Sequence, residues 1–217
     1  MGSAAIKTRM DSVSYAIGLN IGRNFAQSGM DSINYMVLAK ALQDAKDTNN
    51  WAFNEEKAKM IMDQYRVVME GKQQAEFAKK ATENLRKGEA FFAENKTKEG
   101  VVALESGLQY KILKAGNGAK PTIDSRVKVH YVGTNIDGKE FDSSIRRGQP
   151  AVFGLQEVIP GWMGALQLMP VGSKWMVYVP SNLGYGERGN MPSIAPNEAL
   201  IFEVELLGIE GKIEEKK

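Results

Sequence analysis

Few residues in this chain could carry proton transfer, group transfer or metal chemistry. His130 is the only histidine and there is no cysteine. Those counts exclude thiol nucleophiles, disulfides, iron–sulfur clusters, cysteine-ligated zinc and zinc motifs that need paired histidines. Alternation places His130 with Arg126 and Lys128 on the strand face opposite Tyr131. No base or nucleophile stands at a recognisable spacing from it, so a structural or surface role is expected. Asp142, in Phe141-Asp142-Ser143-Ser144, reads equally as a turn or cap residue. The run Gly184-Tyr185-Gly186-Glu187-Arg188-Gly189 matches GxGxxG. A dinucleotide site needs a helix opening at those glycines, and the following Asn190–Pro196 segment with its two prolines cannot supply one. The glycines instead shape a loop that carries Tyr185. Asn95-Lys96-Thr97 fits a glycosylation sequon, a short and unspecific pattern. What remains is aromatic: Tyr131, Phe141, Phe153, Trp162, Tyr185 and Phe202. An ordinary core explains most of them, but Phe141 and Tyr185 fall in turn-like segments. An apolar pocket with a few polar groups at its rim is the remaining site type, with no cofactor and no metal ion expected.

The elements that must position these residues divide in two. All 7 prolines, 16 of 22 glycines and 11 of 15 valines lie in residues 100–217, whereas residues 1–99 hold 7 of the 11 methionines and no proline. A helical part followed by a turn-rich β part, hence two domains, is expected in a chain of 217 residues. Helices are predicted over 11–29, capped by Asp11-Ser12, and over Ser32–Ala45. A third starts at the Asn54 cap and continues to about Asn95, roughly 60 Å at 1.5 Å per residue. Its stripe of Ile61, Met62, Tyr65, Val68 and Met69 gives way to a polar run from Lys72 to Lys87, which reads as an exposed stem. So short a helical part cannot bury its apolar face alone, so dimerisation is expected. From Gly107 the period becomes two. Leu108, Tyr110 and Ile112 share one face; Val127, Val129 and Tyr131, then Trp175, Val177 and Val179, then Leu200, Phe202, Val204 and Leu206 repeat the alternation. Pro160 opens a short helix bearing Trp162, Ala165, Leu166 and Met169. One helix against one face of an antiparallel sheet makes the second part α+β. Basic and acidic residues balance in both parts, 15 to 13 and 13 to 13, so nothing favours nucleic acid. No apolar run reaches the length of a membrane span.

Five motifs in one order then carry a resemblance: Val129-His130-Tyr131-Val132-Gly133, Asp137 to Ser144, Val158-Ile159-Pro160-Gly161-Trp162, Leu183 to Gly189, and Leu200 to Leu207. Over residues 105–210 the chain resembles the FKBP-type peptidyl-prolyl cis–trans isomerases. Tyr15 to Gly22 followed by a long helix is similar to the N-terminal dimerisation domain of the bacterial macrophage infectivity potentiator-like subgroup. The resemblance implies a helical dimerisation domain and stem over 1–99 and an isomerase domain over 100–217, in which a half-barrel sheet wraps the Trp162 helix. It implies that substrate proline enters over Trp162, walled by Tyr131, Phe141, Phe153, Val158, Ile159 and Phe202. Tyr185 and the Ile159 N–H would bind substrate carbonyls, Asp142 would lie beside the twisting amide, and Ile194 would lie on the loop over the site. Ala151 replaces an aromatic common among relatives, and the Asn190–Ala195 loop differs from eukaryotic members; both bear on sequence preference and macrolide affinity.

Rotation about an Xaa-Pro bond breaks no covalent bond but crosses a barrier of roughly 18–20 kcal/mol, so the missing acids, bases and metals are no obstacle. The implied partners are proline-containing peptides and unfolded proteins, FK506- or rapamycin-like macrolides as inhibitors, and a second copy through residues 1–70. The implied place is the bacterial cell envelope if Met1-Gly2-Ser3 replaced a leader; the cytoplasm is the alternative. The rival function is a non-catalytic holdase chaperone or peptide-binding adaptor.

Overall fold

The computed structural model describes residues 5–30 and 32–212, Lys212 by its backbone alone; the Met1-Gly2-Ser3 opening lies outside the described residues. Helices α1 (Arg9–Gln27), α2 (Tyr35–Asp44) and α3 (Glu55–Asn95) come first. Contacts within the chain divide it into Met1–Arg66 and Val67–Lys217, so the division falls inside α3.

In the first unit the cap of α1 is Thr8 rather than Asp11-Ser12. Its side chain accepts from the Asp11 N–H at 3.1 Å, and the Asp11 carboxylate accepts from the Thr8 N–H at 2.7 Å. This reciprocal box satisfies two of the helix's otherwise unpaired donors and moves the start upstream. Helix α2 starts three residues later than expected because Asn34 Oδ1 accepts from the N–H groups of Met36 and Val37. Asn54 caps α3 as expected, accepting from the Lys57 N–H at 3.0 Å. The Trp51 indole N–H donates to the Asp44 carbonyl at 3.1 Å, tying the connector to the end of α2. Neither α1 nor α2 buries a single residue within this chain.

The second unit holds seven antiparallel strands: β1 (Val101–Ala103), β2 (Gln109–Lys114), β3 (Ser125–Asn135), β4 (Glu140–Ser143), β5 (Ala151–Gly154), β6 (Lys174–Val179) and β7 (Leu200–Lys212). Their order is β1-β2-β6-β7-β3-β4, and β5 also pairs with β3. Thus β7 occupies one edge of β3, while β4 and β5 share the other at residues 132–134 and 126–129. Between those two short strands Ser144 bonds to β3, its N–H donating to the Tyr131 carbonyl at 3.0 Å and its Oγ accepting from the Tyr131 N–H at 2.8 Å. The Asp137-Gly138 turn forms as predicted, with Gly138 at φ 82°, a conformation that glycine adopts without strain. Phe141 departs from expectation, since it lies on β4 rather than in a turn.

Helix α4 (Pro160–Leu166) packs against the sheet face made by the predicted alternation. Val127, Val129, Trp175, Val177, Val179, Leu200, Val204 and Leu206 are buried there with Ala165, Leu166 and Met169. Gly161 permits the approach: a Cβ there would stand 2.5 Å from a Val179 methyl carbon. The expectation that only one face is covered is corrected by the end of α3. The Phe91 ring lies 6.0 Å from that of Tyr178, tilted at 48°, and Tyr178 points from the outer face of β6. Asn95, buried, donates to Gln109 Oε1 at 2.9 Å, and Gln109 Nε2 donates to the Phe92 carbonyl at 2.9 Å. These bonds meet the requirement that buried amides be paired. They also remove the sequon reading, because a buried, bonded Asn95 cannot carry a glycan. Residues 71–80 of α3 are exposed throughout, as the stem reading requires, whereas Ala81, Asn84, Gly88, Phe91 and Phe92 are not.

Candidate functional site

Trp162 enters the core from the first turn of α4. Pro160 suits that first turn because its missing N–H is not needed there. The Trp162 and Met163 N–H groups donate to the Ile159 carbonyl at 2.9 and 3.1 Å, fixing the chain's entry angle. The Ile159 N–H itself donates to no backbone acceptor among the described residues.

Three rings meet the Trp162 indole edge-on. Tyr131 of β3 lies 5.1 Å away at 89°, Phe153 of β5 at 5.7 Å and 88°, and Phe202 of β7 at 5.2 Å and 84°. Phe141 of β4 meets Phe202 at 5.6 Å and 88°. Edge-to-face contacts are favourable because the positive ring edge meets the negative face, and each is worth roughly 0.5–1.5 kcal/mol beyond burial. Trp162 is 5% exposed and Ile194 2%. Phe141, Phe153, Val158 and Ile159 are half-buried and pack against the same cluster. Ring contacts thus bring Tyr131, Phe141, Phe153, Trp162 and Phe202 together, and Val158, Ile159 and Ile194 belong to the same larger hydrophobic cluster.

Gly133 explains how the Phe141 and Phe202 rings can meet. It faces Phe202 in the β3–β7 register and Asp142 in the β3–β4 register. A Cβ on Gly133 would stand 2.8 Å from Phe141 ring carbons and 2.9 Å from the Phe202 ring. Gly133→Ala is expected to cost about 1–3 kcal/mol, the usual penalty of overpacking. Denaturant unfolding reads that loss, and a lower kcat/KM should accompany it because two wall rings must move.

The rim is polar. The Tyr131 hydroxyl donates to Asp142 Oδ2, Arg147 donates to Asp142 Oδ1, and Arg147 Nη2 also donates to the Tyr131 hydroxyl at 2.8 Å. The Ser143 N–H adds a bond to Asp142 at 2.8 Å. Burial pushes the Asp142 carboxyl up, but the hydrogen bonds from Tyr131 and Arg147, with the Arg147 charge, outweigh it and hold the group below its ordinary value. Tyr185, 38% exposed, precedes the helical turn Gly186–Arg188. Burial raises its phenol pKa, the Asp142 charge adds in the same direction, and the Asn190 side chain opposes. The phenol is therefore a lasting hydrogen-bond donor at neutral pH, and Asp142 a lasting acceptor. Gly189, at φ 64°, lets the chain fold back so closely that a Cβ there would lie 2.5 Å from the Ile194 carbonyl oxygen.

His130 lies outside the aromatic cluster. Its Nδ1 lies 3.0 Å from Ser144 Oγ, which also accepts from the Tyr131 N–H at 2.8 Å. Arg147 escaped sequence reasoning. It lies five residues beyond Asp142 across a turn, a spacing with no helical or strand period, and only the acid–base pairing itself could have flagged it. Among the described residues no group of three or more potential ligands is placed to hold a metal ion, and no helix is long and apolar enough to cross a membrane.

The rings of Tyr131, Phe153 and Phe202 thus gather around one indole, with the Asp142 carboxylate bonded at the edge of that cluster, on a sheet that packs over one short helix. The family profile described as FKBP-type peptidyl-prolyl cis-trans isomerase matches residues 117–207. That described as the domain amino terminal to FKBP-type peptidyl-prolyl isomerase matches residues 10–112. The chain belongs to the FKBP-type peptidyl-prolyl cis-trans isomerases. It is 47% identical over 207 residues to the outer membrane protein MIP of Legionella longbeachae, covering 95% of this chain and 88% of that one. It is 41% identical over 196 residues to the FKBP-type 22 kDa peptidyl-prolyl cis-trans isomerase of Escherichia coli, covering 90% and 93%. The crystal structure of FkpA from Escherichia coli matches with a TM-score of 0.78 at 32% identity, over 95% of this chain and 99% of that one.

Proposed function

We propose that this isomerase acts as a dimeric folding catalyst, and that Trp162, Phe202, Phe141, Asp142 and Tyr185 form its catalytic centre. The observation that carries the site assignment is the indole of Trp162 surrounded edge-on by three rings, with Asp142 and Tyr185 at the rim. The proline ring lies on Trp162, between Tyr131, Phe153, Val158, Ile159 and Ile194. A planar amide is more polar than a twisted one, so an apolar enclosure favours the twisted geometry over the planar. The Tyr185 hydroxyl and the Ile159 N–H hold the flanking carbonyls, and Asp142 faces the rotating bond. None of these roles moves a proton, so kcat/KM stays level across neutral pH.

A protease-coupled Xaa-Pro peptide assay tests the assignment. Tyr185→Phe is expected to lower kcat/KM by about three- to tenfold, the usual worth of one neutral hydrogen bond, without changing the unfolding midpoint. Wild-type turnover in that variant refutes the role of the phenol. FK506- and rapamycin-like macrolides should compete for the same apolar floor.

Dimerisation through residues 1–70 is supported by apolar side chains that α1 and α2 leave exposed: Met36 is 73% exposed and Met10 70%, with Tyr15, Ile17 and Val37 beside them. A second copy of this chain covers such faces. An apolar hollow of about 290 Å³, lined by Val37, Ala41, Ala45, Trp51 and Phe53, favours capture of unfolded clients by the same domain. We assign dimerisation and stem to residues 1–99, of which the last turns of α3 from Ala81 on pack against the sheet domain, and isomerisation to 100–217, and place the protein in the bacterial cell envelope on its likeness to an outer membrane relative. Native mass measurement reads the dimer directly.

A further inference from the structure

The last turns of α3 touch the loop that carries Ile194. Asn84 Nδ2 donates to the Pro196 carbonyl at 2.9 Å, and Asn197 Nδ2 donates to the Ala81 carbonyl at 3.4 Å. One turn further on, the missing side chain of Gly88 admits Ala199, whose Cβ would stand 3.3 Å from a Cβ on the glycine. Ala81, Asn84 and Gly88 follow helical spacing and share one face. The loop is braced from within as well. Asn190 and Ile194 exchange N–H to carbonyl bonds at 2.8 and 2.9 Å, and the Ala195 N–H donates to Glu198 Oε2 at 2.7 Å. Glu198 Oε1 in turn accepts from Asn135 Nδ2 at 3.0 Å, at the end of β3. Asn197 holds a left-handed conformation at φ 53°, which its Ala81 contact and its own N–H bond to the Gly186 carbonyl at 2.8 Å help to retain. Only Ala195 separates Ile194, on the pocket side, from Pro196 on the α3 side.

We propose that the C-terminal part of α3 is a splint for the substrate loop, with Asn84 as a positioning residue that holds Ile194 over the proline pocket. This inference rests on the reading of Ile194 as a wall of that pocket. Its physical content is that a helix outside the sheet domain's own motifs sets how firmly substrate is gripped. Losing the Asn84 bond loosens the loop without touching the Trp162 floor, so binding weakens while rotation of a bound peptide does not.

The test uses the full chain with Asn84→Ala and Asn84→Asp, the second of which keeps the volume but removes the amide donor. Ile194→Ala probes the site reading, and Thr82→Ala, an exposed position on the same helix, serves as control. Amide hydrogen exchange at Ile194 and Ala195 should accelerate about three- to tenfold in both Asn84 variants, as expected for one lost hydrogen bond, and remain at the wild-type rate in the control. KM for an Xaa-Pro peptide should rise severalfold while kcat stays within about twofold, the signature of lost binding. Unchanged loop exchange overturns the splint. So does a KM that stays at the wild-type value in both Asn84 variants when Ile194→Ala raises it. A purely structural role for Asn84, which also overturns it, appears as equal acceleration across β3 and β7 with KM unmoved. Faster loop exchange with KM unmoved in all variants, Ile194→Ala included, supports the splint and instead refutes the placing of Ile194 in the site.

Discussion

Asp142→Ala should lower kcat/KM on an Xaa-Pro peptide by about ten- to a hundredfold and leave the unfolding midpoint within a few degrees. The size follows from the kind of interaction removed. Hydrogen bonds to charged groups are worth roughly 1.5–3 kcal/mol, and each 1.36 kcal/mol of barrier is tenfold in rate. The small effect on stability follows from exposure: the Asp142 side chain is 40% exposed and that of Arg147 is 44%. The freed guanidinium turns to water and keeps its 2.8 Å bond to the Tyr131 hydroxyl. The same group governs the acid limit. Its pKa in the folded protein is below the ordinary aspartate value, so in the folded protein its negative charge persists from neutral pH through the usual carboxylate range. It is lost only as pH falls through that lowered value. Arg147→Met removes both a hydrogen bond and a positive charge from the carboxylate and leaves burial unopposed by them. The acid limb of the pH–rate profile should then move to higher pH. A limb that stays in place shows that Asp142 is not the group whose ionisation supports turnover.

Tyr131, Trp162 and Phe202 were legible in the sequence because each sits on a strand or helix whose period is clean, whereas Phe141 read as a turn residue and Phe153, Val158 and Ile159 were placed only by the family resemblance. Trp175, Val177 and Val179, or Phe202, Val204 and Leu206, alternate without interruption, and the structure buries every one of them. Pro160 and the spacing of Trp162, Ala165 and Leu166 likewise marked the short helix. Illegible were contacts made by polar residues across long separations. Asn95 and Gln109 look like surface residues, yet both are buried in a relay in which Asn95 donates to Gln109 and Gln109 donates to the Phe92 carbonyl. A hydropathy pattern cannot register such a pair, because its burial is repaid by hydrogen bonding rather than by apolar area. For the same reason the end of α3 reads as stem when it is in fact packed on β6 and on the Pro196–Ala199 segment. Individual roles at the rim came from resemblance to a family. The physical reason that Asp142 stays ionised, its tie to Arg147 and Tyr131, needed the geometry.

Removing residues 1–66 should separate peptide isomerisation from the dimerisation and client capture proposed for the helical part. The remaining Val67–Lys217 unit keeps the hydrophobic core, the aromatic site and the part of α3 that reaches the Ile194 loop. Turnover of a short Xaa-Pro peptide is therefore expected within about twofold of the full chain, and native mass should fall from dimer to monomer. Catalysis of proline-limited refolding of a large protein is expected to drop by on the order of tenfold or more. Tethering a client near the active site replaces a second bimolecular encounter by an intramolecular one, and such effective-concentration gains run from 10²- to 10⁴-fold where geometry permits. The exposed apolar residues of α1 and α2 supply both the dimer contact and the client contact in this account. Point changes can divide them: Trp51→Ala opens the hollow it lines with Val37 and Phe53 while leaving the outward Met10 and Tyr15 untouched. A dimer that loses refolding activity on that change assigns client capture to the hollow. Full refolding activity in the truncated monomer removes the helical domain from the catalytic cycle altogether.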